Sequence, residues 1–158
     1  TIMSVRSGIQ FESDLRSDGR PLNHLIGRVL DRGADVRFIR DATRGGLAGV
    51  LADISEQRGL SIQIEEERLP ISPTARHAAE MLGLDPISVA NEGIAVFVVA
   101  ADDAAAALAA LRGLPEGRDA AVIGRVTDSR PPLVELNTRA GGQRIIQRPY
   151  GEELPRIC

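Results

Sequence analysis

Three short stretches of the chain carry residue types that could do chemistry. The first is Asp41-Ala42-Thr43-Arg44-Gly45-Gly46, between a short apolar run and a strongly periodic one. Two glycines let another group come close to the backbone, and a helix start presents unpaired N–H groups at the positive end of its dipole. Thr43 or Asp41 can cap that helix, and Arg44 can hold a phosphate or carboxylate through paired N–H bonds. On pattern alone the plainer reading is the stronger, because short Gly-Gly motifs recur widely. It is a capped helix start with Arg44 paired to a neighbouring carboxylate.

The second stretch, Asn91-Glu92-Gly93, precedes the apolar run Ile94–Ala100. A carboxylate at the mouth of a buried strand is held rigidly and partly desolvated, which raises its pKa toward usefulness as a base. Alone, these residues read better as an ordinary turn, for which Asn and Gly are favoured. The third feature is Cys158, the only cysteine and the final residue. Prenylation needs three residues after the cysteine, so that modification is excluded. A zinc site would have to draw on His24 and His77, which lie off the apolar stripes of their helices and read as solvated. What remains is a thiol ending the segment PYGEELPRIC, whose prolines, glycine and glutamates predict a flexible tail over 149–158. Ten extended residues reach about 33–36 Å, enough to visit a distant site or another protein. Chance placement of the cysteine is the alternative. The acidic runs Glu12–Asp18 and Glu65–Glu67 read as solvated faces without a role.

The elements around these motifs are legible from periodicity. Leu22, Leu25, Ile26 and Val29 form one helical stripe, with Gly33 placed to end it. Leu47, Val50, Leu51 and Ile54 form a second, ending before Gly59. Ser72-Pro73 is a helix start with a capping hydroxyl and a proline in the first turn, and Ala75, Ala78, Ala79 and Leu82 follow to Gly83. Asp102 is expected to cap an alanine-rich helix to about Leu111. Strands are expected at Ile2–Val5, Val36–Ile39, Ser61–Ile64, Ile94–Ala100, Ala121–Val126, Leu133–Leu136 and Arg144–Ile146. The run Ile94–Ala100 reads as a central strand covered on both faces. Alternating helices and strands predict a sheet layered with helices in one domain over 1–148.

Composition narrows the function. The 158 residues include 19 basic and 22 acidic ones, for a net charge of −3, and every basic residue is arginine. A Schiff-base lysine and a lysine-bearing phosphate loop are therefore excluded within the chain. Only 3% of residues are aromatic. Without stacking surface or a basic excess, no nucleic-acid partner is expected. The longest apolar runs are too short to span a bilayer, so no membrane role is expected either. No signal peptide is visible, and a single cysteine fits a reducing compartment, which predicts a cytoplasmic protein. The chain opens on Thr1-Ile2-Met3. That opening predicts a piece of a longer polypeptide.

Taken together, FIRDATRGGLAGVL, ISVANEGIAVFVV, DAAVIGRV and the ending LPRIC resemble, in order and spacing, the C-terminal half of the HypE family of hydrogenase maturation proteins. FESDLRSDGRPLN, before the first helix, resembles that family as well. DxTRGG marks only the wider aminoimidazole-ribonucleotide synthetase superfamily, whereas the terminal Pro-Arg-Ile-Cys discriminates HypE. The resemblance implies an α+β fold, a three-layer α/β/α sandwich. It also implies a carbamoyl dehydratase. HypF places a carboxamide on the terminal thiol, and ATP drives its dehydration to a thiocyanate. The cyanide then passes to iron held by the HypC–HypD complex. By this carry-over Cys158 is the modified thiol and Glu92 the proton acceptor; the chemistry of the step would have Asn91 orient the amide. Asp41, Thr43, Arg44, Gly45 and Gly46 would face the nucleotide phosphates.

The family's N-terminal half supplies most ATP and Mg2+ contacts and the homodimer contact, so no metal is expected in this chain and little activity from it alone. Two departures stand out: Ala42 replaces the superfamily's usual proline, and Ile94 stands where a basic residue is frequent. Rival readings are a thiamine-phosphate kinase or selenophosphate synthetase type of enzyme, which leaves the terminal cysteine unexplained, and a non-catalytic docking domain that presents a tail.

Overall fold

The computed structural model describes residues 17–149. The strand expected at Ile2–Val5 and the segment beyond Pro149, Cys158 included, lie outside the described residues. In chain order the elements are α1 (Asn23–Leu30), β1 (Val36–Ala42), α2 (Gly46–Arg58), β2 (Ser61–Glu65), α3 (Pro73–Met81), β3 (Asn91–Val99), α4 (Ala104–Arg112), β4 (Gly124–Thr127), β5 (Val134–Asn137) and β6 (Gln143–Ile146). The fold is mixed α+β, the class the resemblance implies. β1 and β3 form an antiparallel ribbon, and the other strands form a four-stranded sheet in the order β4-β2-β5-β6. β2 and β5 run parallel at its centre, and the outer pairings are antiparallel.

Helix α2 holds the two sheets together. It packs on β1 and β3 of the ribbon and on β2 and β5 of the sheet. A helix contacted on several sides must be apolar around most of its circumference, and α2 buries every residue from Ala48 to Ser55. Val50, Leu51 and Ile54 join Ile62, Ile64, Val134 and Leu136 in one core. Gly59 ends the helix at φ +61°, a left-handed stop that suits glycine. Helix α3 starts as its sequence demands, with the Ser72 hydroxyl accepting from Ala75 N at 3.2 Å and Pro73 in the first turn. Of its expected stripe only Ala79 is buried.

Three expectations are corrected. Ile94–Ala100 is not covered on both faces: Ile94 is exposed, and among the described residues β3 pairs only with β1. An unbroken apolar run carries no signal of how many neighbours a strand has. Asp102 caps no helix, because a 3-10 turn over Ala101–Asp103 intervenes before α4. The neighbouring Asp103 carboxylate instead accepts from Asp35 N at 2.8 Å. The strand expected from Ala121 begins only at Gly124, where a Cβ would meet Gln63 O at 2.0 Å, so glycine lets β4 close on β2.

Candidate functional site

Ala42, the last residue of β1, pairs with Asn91, the first of β3. This register contact brings the two polar motifs to one edge of the ribbon. Asp41 and Ala42 belong to the strand rather than to the loop after it, Asp41 exposed and Ala42 buried. Thr43 to Gly45 make the turn, and α2 begins at Gly46.

The helix start differs from the expected cap. The cap position is Gly45, at φ +67°, and no side chain bonds to it, so neither Thr43 nor Asp41 caps α2. Because β1 runs on to Ala42, the chain must reverse within three residues, and the left-handed step that completes the turn falls to a glycine. Gly46 is left-handed too, at φ +60°, and a Cβ there would lie 2.5 Å from both Ile87 O and Val89 O. The close approach that Gly46 permits is thus taken by the chain's own 86–89 turn. Asn91 secures the same turn, its Nδ2 donating to Val89 O at 2.6 Å. Helix start, turn and strand start are one fastened unit. Arg44 is exposed on it. Among the described residues it makes no ion pair, so the carboxylate partner of the plainer reading is not found there.

On β3 the ladder is interrupted. Asp41 pairs with Ala95 while Ala42 pairs with Asn91, so Glu92, Gly93 and Ile94 are looped out as a bulge. The ordinary turn that these residues resemble is therefore a kink within a strand, a device that re-aims side chains and recurs beside active sites. The displaced N–H groups are taken by Asp18, whose Oδ2 accepts from Glu92 N at 3.0 Å and from Gly93 N at 3.4 Å. Arg20 Nε donates in return to Gly93 O at 3.3 Å. A Cβ on Gly93 would lie 1.6 Å from Asp18 O, so only glycine lets this strap lie down. Glu92 itself is exposed, with its Oε2 3.9 Å from where a Cβ on Gly19 would be. The desolvation expected at a buried strand mouth is absent here, because the bulge turns Glu92 outward.

Asp18 and Arg20 are the residues that sequence reasoning missed. Ser17-Asp18-Gly19 signals a turn, but nothing local says which distant amides the carboxylate serves. His24 and His77 are exposed, as expected, and His77 Nδ1 bonds within its own helix to Pro73 O at 2.9 Å. Among the described residues no three His, Cys, Asp or Glu side chains gather to hold a metal ion, and no helix is long and apolar enough to cross a membrane. Two open clefts, of about 430 Å³ beside α1 and about 320 Å³ between α2 and the β5–β6 side, lie away from this edge. The site is a ledge of exposed Asp41, Arg44 and Glu92 on a rigidly tied frame.

A family model described as AIR synthase related protein, C-terminal domain, matches residues 1–135. The chain belongs to that family. Within this AIR synthase related group, it is 45% identical over 157 residues to carbamoyl dehydratase HypE of Cupriavidus necator, covering 99% of this chain and 45% of that protein. It is 39% identical to the Escherichia coli carbamoyl dehydratase HypE, covering all of this chain and 46% of the relative. The chain thus spans about half the length of the curated relatives it matches. A crystal structure of hydrogenase maturation protein HypE in complex with ATP superposes with a TM-score of 0.91 at 37% identity, over 100% of this chain and 48% of that one. A HypE–HypF complex superposes with a TM-score of 0.87 at 42% identity, over 94% of this chain and 48% of the other.

Proposed function

We propose that this chain is the C-terminal part of an ATP-dependent carbamoyl dehydratase that carries its substrate on Cys158. The observation that carries the reading is the 45% identity to a carbamoyl dehydratase across 99% of this chain. The meeting of the Asp41–Gly46 and Asn91–Gly93 motifs at one edge supports it, because the reaction needs phosphate-facing donors beside a base. The domain over 1–148 presents the ledge, and the segment over 149–158 is the arm.

A carboxamide first reaches the Cys158 sulfur as a thiocarbamate, supplied by HypF. An amide oxygen is a poor leaving group. Its attack on the γ-phosphorus of ATP converts it to a phosphate ester, with ADP released and one N–H proton lost. Removal of the second N–H proton then drives the electron pair into a C≡N bond as the C–O bond breaks and phosphate departs. The thiol ends as a thiocyanate. Glu92 takes a nitrogen proton, since an exposed, bulge-held carboxylate can reach a substrate on an incoming arm. Asn91, whose Nδ2 is committed to Val89 O, offers its remaining oxygen to the amide N–H. Exposed Arg44 steadies charge on the transferring phosphoryl group, beside Asp41, Thr43 and the Gly45 turn, while Gly46 serves the frame, its near side taken by the 86–89 turn. Nucleotide, metal and homodimer contacts fall mainly to the other half of the enzyme, as the resemblance implies. The cyanide acceptor is iron on the HypC–HypD complex, and the setting is cytoplasmic.

The test is the intact mass of the complete protein after incubation with HypF, carbamoyl phosphate and ATP. The reading expects a carboxamide and then a cyanide on the terminal peptide, and neither on Cys158→Ala. A Cys158→Ala protein that still gains the carboxamide contradicts it.

A further inference from the structure

A second group of charges, on α2, involves none of the ledge residues. Asp53 is on α2, and its carboxylate is only 12% exposed. Both of its oxygens are occupied: Oδ2 accepts from Arg40 of β1 and Oδ1 from Arg148, beyond β6. A carboxylate this buried is tolerable only when paired. Arg148 also donates to Glu56, one helical turn along, at 3.2 Å. Two guanidinium groups thus meet two carboxylates, and the group closes on zero charge. Directly after Arg148, the Pro149 Cδ lies 3.6 Å from where a Cβ on Gly45 would be. The chain therefore leaves β6 at Ile146 and is tied down on α2 at Arg148. It passes Pro149 beside the turn that starts the helix.

We propose that Asp53 and Arg148, backed by Arg40, form a clamp that fixes where the terminal segment leaves the domain. This makes them positioning residues for the delivery of Cys158. In its purpose the inference rests on the carrier reading above; in its geometry it rests on the ion pairs alone. From Pro149, the nine residues to Cys158 span at most roughly 30–32 Å, and their origin is the same helix start that carries Arg44 and Gly45. Without the clamp the last buried residue among those described is Ile146. The tether then lengthens from nine residues to twelve, which lowers the local concentration of its end about 1.5-fold from length alone. Displacement of the origin adds to that loss.

The test uses the 158-residue chain with a nitroxide on Cys158, its only thiol. It reads paramagnetic relaxation enhancement at the backbone amides of Gly45 and Gly46, and needs neither nucleotide nor partner. Failure of the dehydratase reading would therefore leave this result standing, and the converse holds too. Enhancement at Gly45 and Gly46 is expected in the parent, falling about twofold or more in Arg148→Gln and recovering in Arg148→Lys, which keeps the charge. Arg148 is half-exposed, so the fold should survive, and unshifted Ile62 and Val134 amides would confirm that. Asp53→Asn would strip a buried partner from Arg40 as well, so it is the weaker variant. An Arg148→Gln profile matching the parent, or a parent without enhancement at Gly45 and Gly46, overturns the clamp.

Discussion

The sheet and the ledge are built from the same chain by different means. In the sheet, Ile62, Ile64, Val134 and Leu136 alternate inward from β2 and β5 and lie against α2, each almost wholly buried. Their contribution is apolar area removed from water, roughly 25 cal/mol per Å². On the ledge hardly any side chain is buried, and the frame is set by backbone hydrogen bonds and by glycines that lie where a Cβ would collide. The first region sets whether the protein folds, and the second sets where Glu92 and Arg44 point. Damage to one should therefore leave the other's readout largely intact.

The largest stability effect should come from the sheet. Leu136→Ala empties a fully enclosed site and should cost about 2–5 kcal/mol. At roughly 2–4 °C per kcal/mol for a domain of this size, thermal denaturation should show a clearly lowered Tm. Gly93→Ala comes next and acts on the other region. Its Cβ cannot coexist with Asp18 O, so the strap must lift and the Glu92 and Gly93 amides lose their acceptor. Hydrogen exchange should quicken at those two amides while Ile62 and Ile64 keep their protection. The Tm should move by the equivalent of about 1–3 kcal/mol at most, the usual range for such single changes. Uniform loss of protection across the sheet would erase the distinction between the regions.

The smallest effect belongs to a surface pair remote from both. Arg37 hydrogen-bonds Asp35 and so holds its carboxyl below the ordinary 3.8. Slight burial opposes the shift, and the Arg37 charge adds to it. A depressed carboxylate contributes stability above its unfolded pKa and loses it as pH falls through the folded value. Between about pH 5 and 8 the contribution is constant. Both side chains are well exposed, so screening leaves little of it. Asp35→Asn should leave Tm at pH 7 unchanged within error, and should flatten only the acid limb of a pH titration of stability.

Much of the fold is local and was therefore legible. The Leu22–Val29 and Leu47–Ile54 stripes, the Ser72-Pro73 start and the left-handed glycine stops all report their own backbone. What a segment pairs with is not written within it. Ile94–Ala100 reads as a strand covered on both faces because apolarity alone does not say which side of a strand meets solvent, and Ile94 does. Asn91-Glu92-Gly93 looked like a turn because the residues that allow a turn also allow a bulge. The motif residues were found by type, but their frame was not, since Asp18 meets Glu92 and Gly93 only through a fold that brings distant residues together. Gly46 shows how a motif glycine misleads: the space it leaves is filled by the carbonyls of Ile87 and Val89 rather than held open for a phosphate.

On the proposed reading the bulge presents Glu92 as a base. Glu92→Gln in the complete enzyme keeps the size and hydrogen-bonding reach of the side chain and removes its capacity to take a proton. Mass spectrometry of the terminal peptide over time separates the two steps. If Glu92 is the base, HypF should still load Cys158 with its carboxamide, while conversion to the cyanide slows about 10²–10⁴-fold, the usual share of a general base. Cyanide formation at an undiminished rate in the Gln variant would contradict the account and leave Glu92 as no more than a residue in a kinked strand.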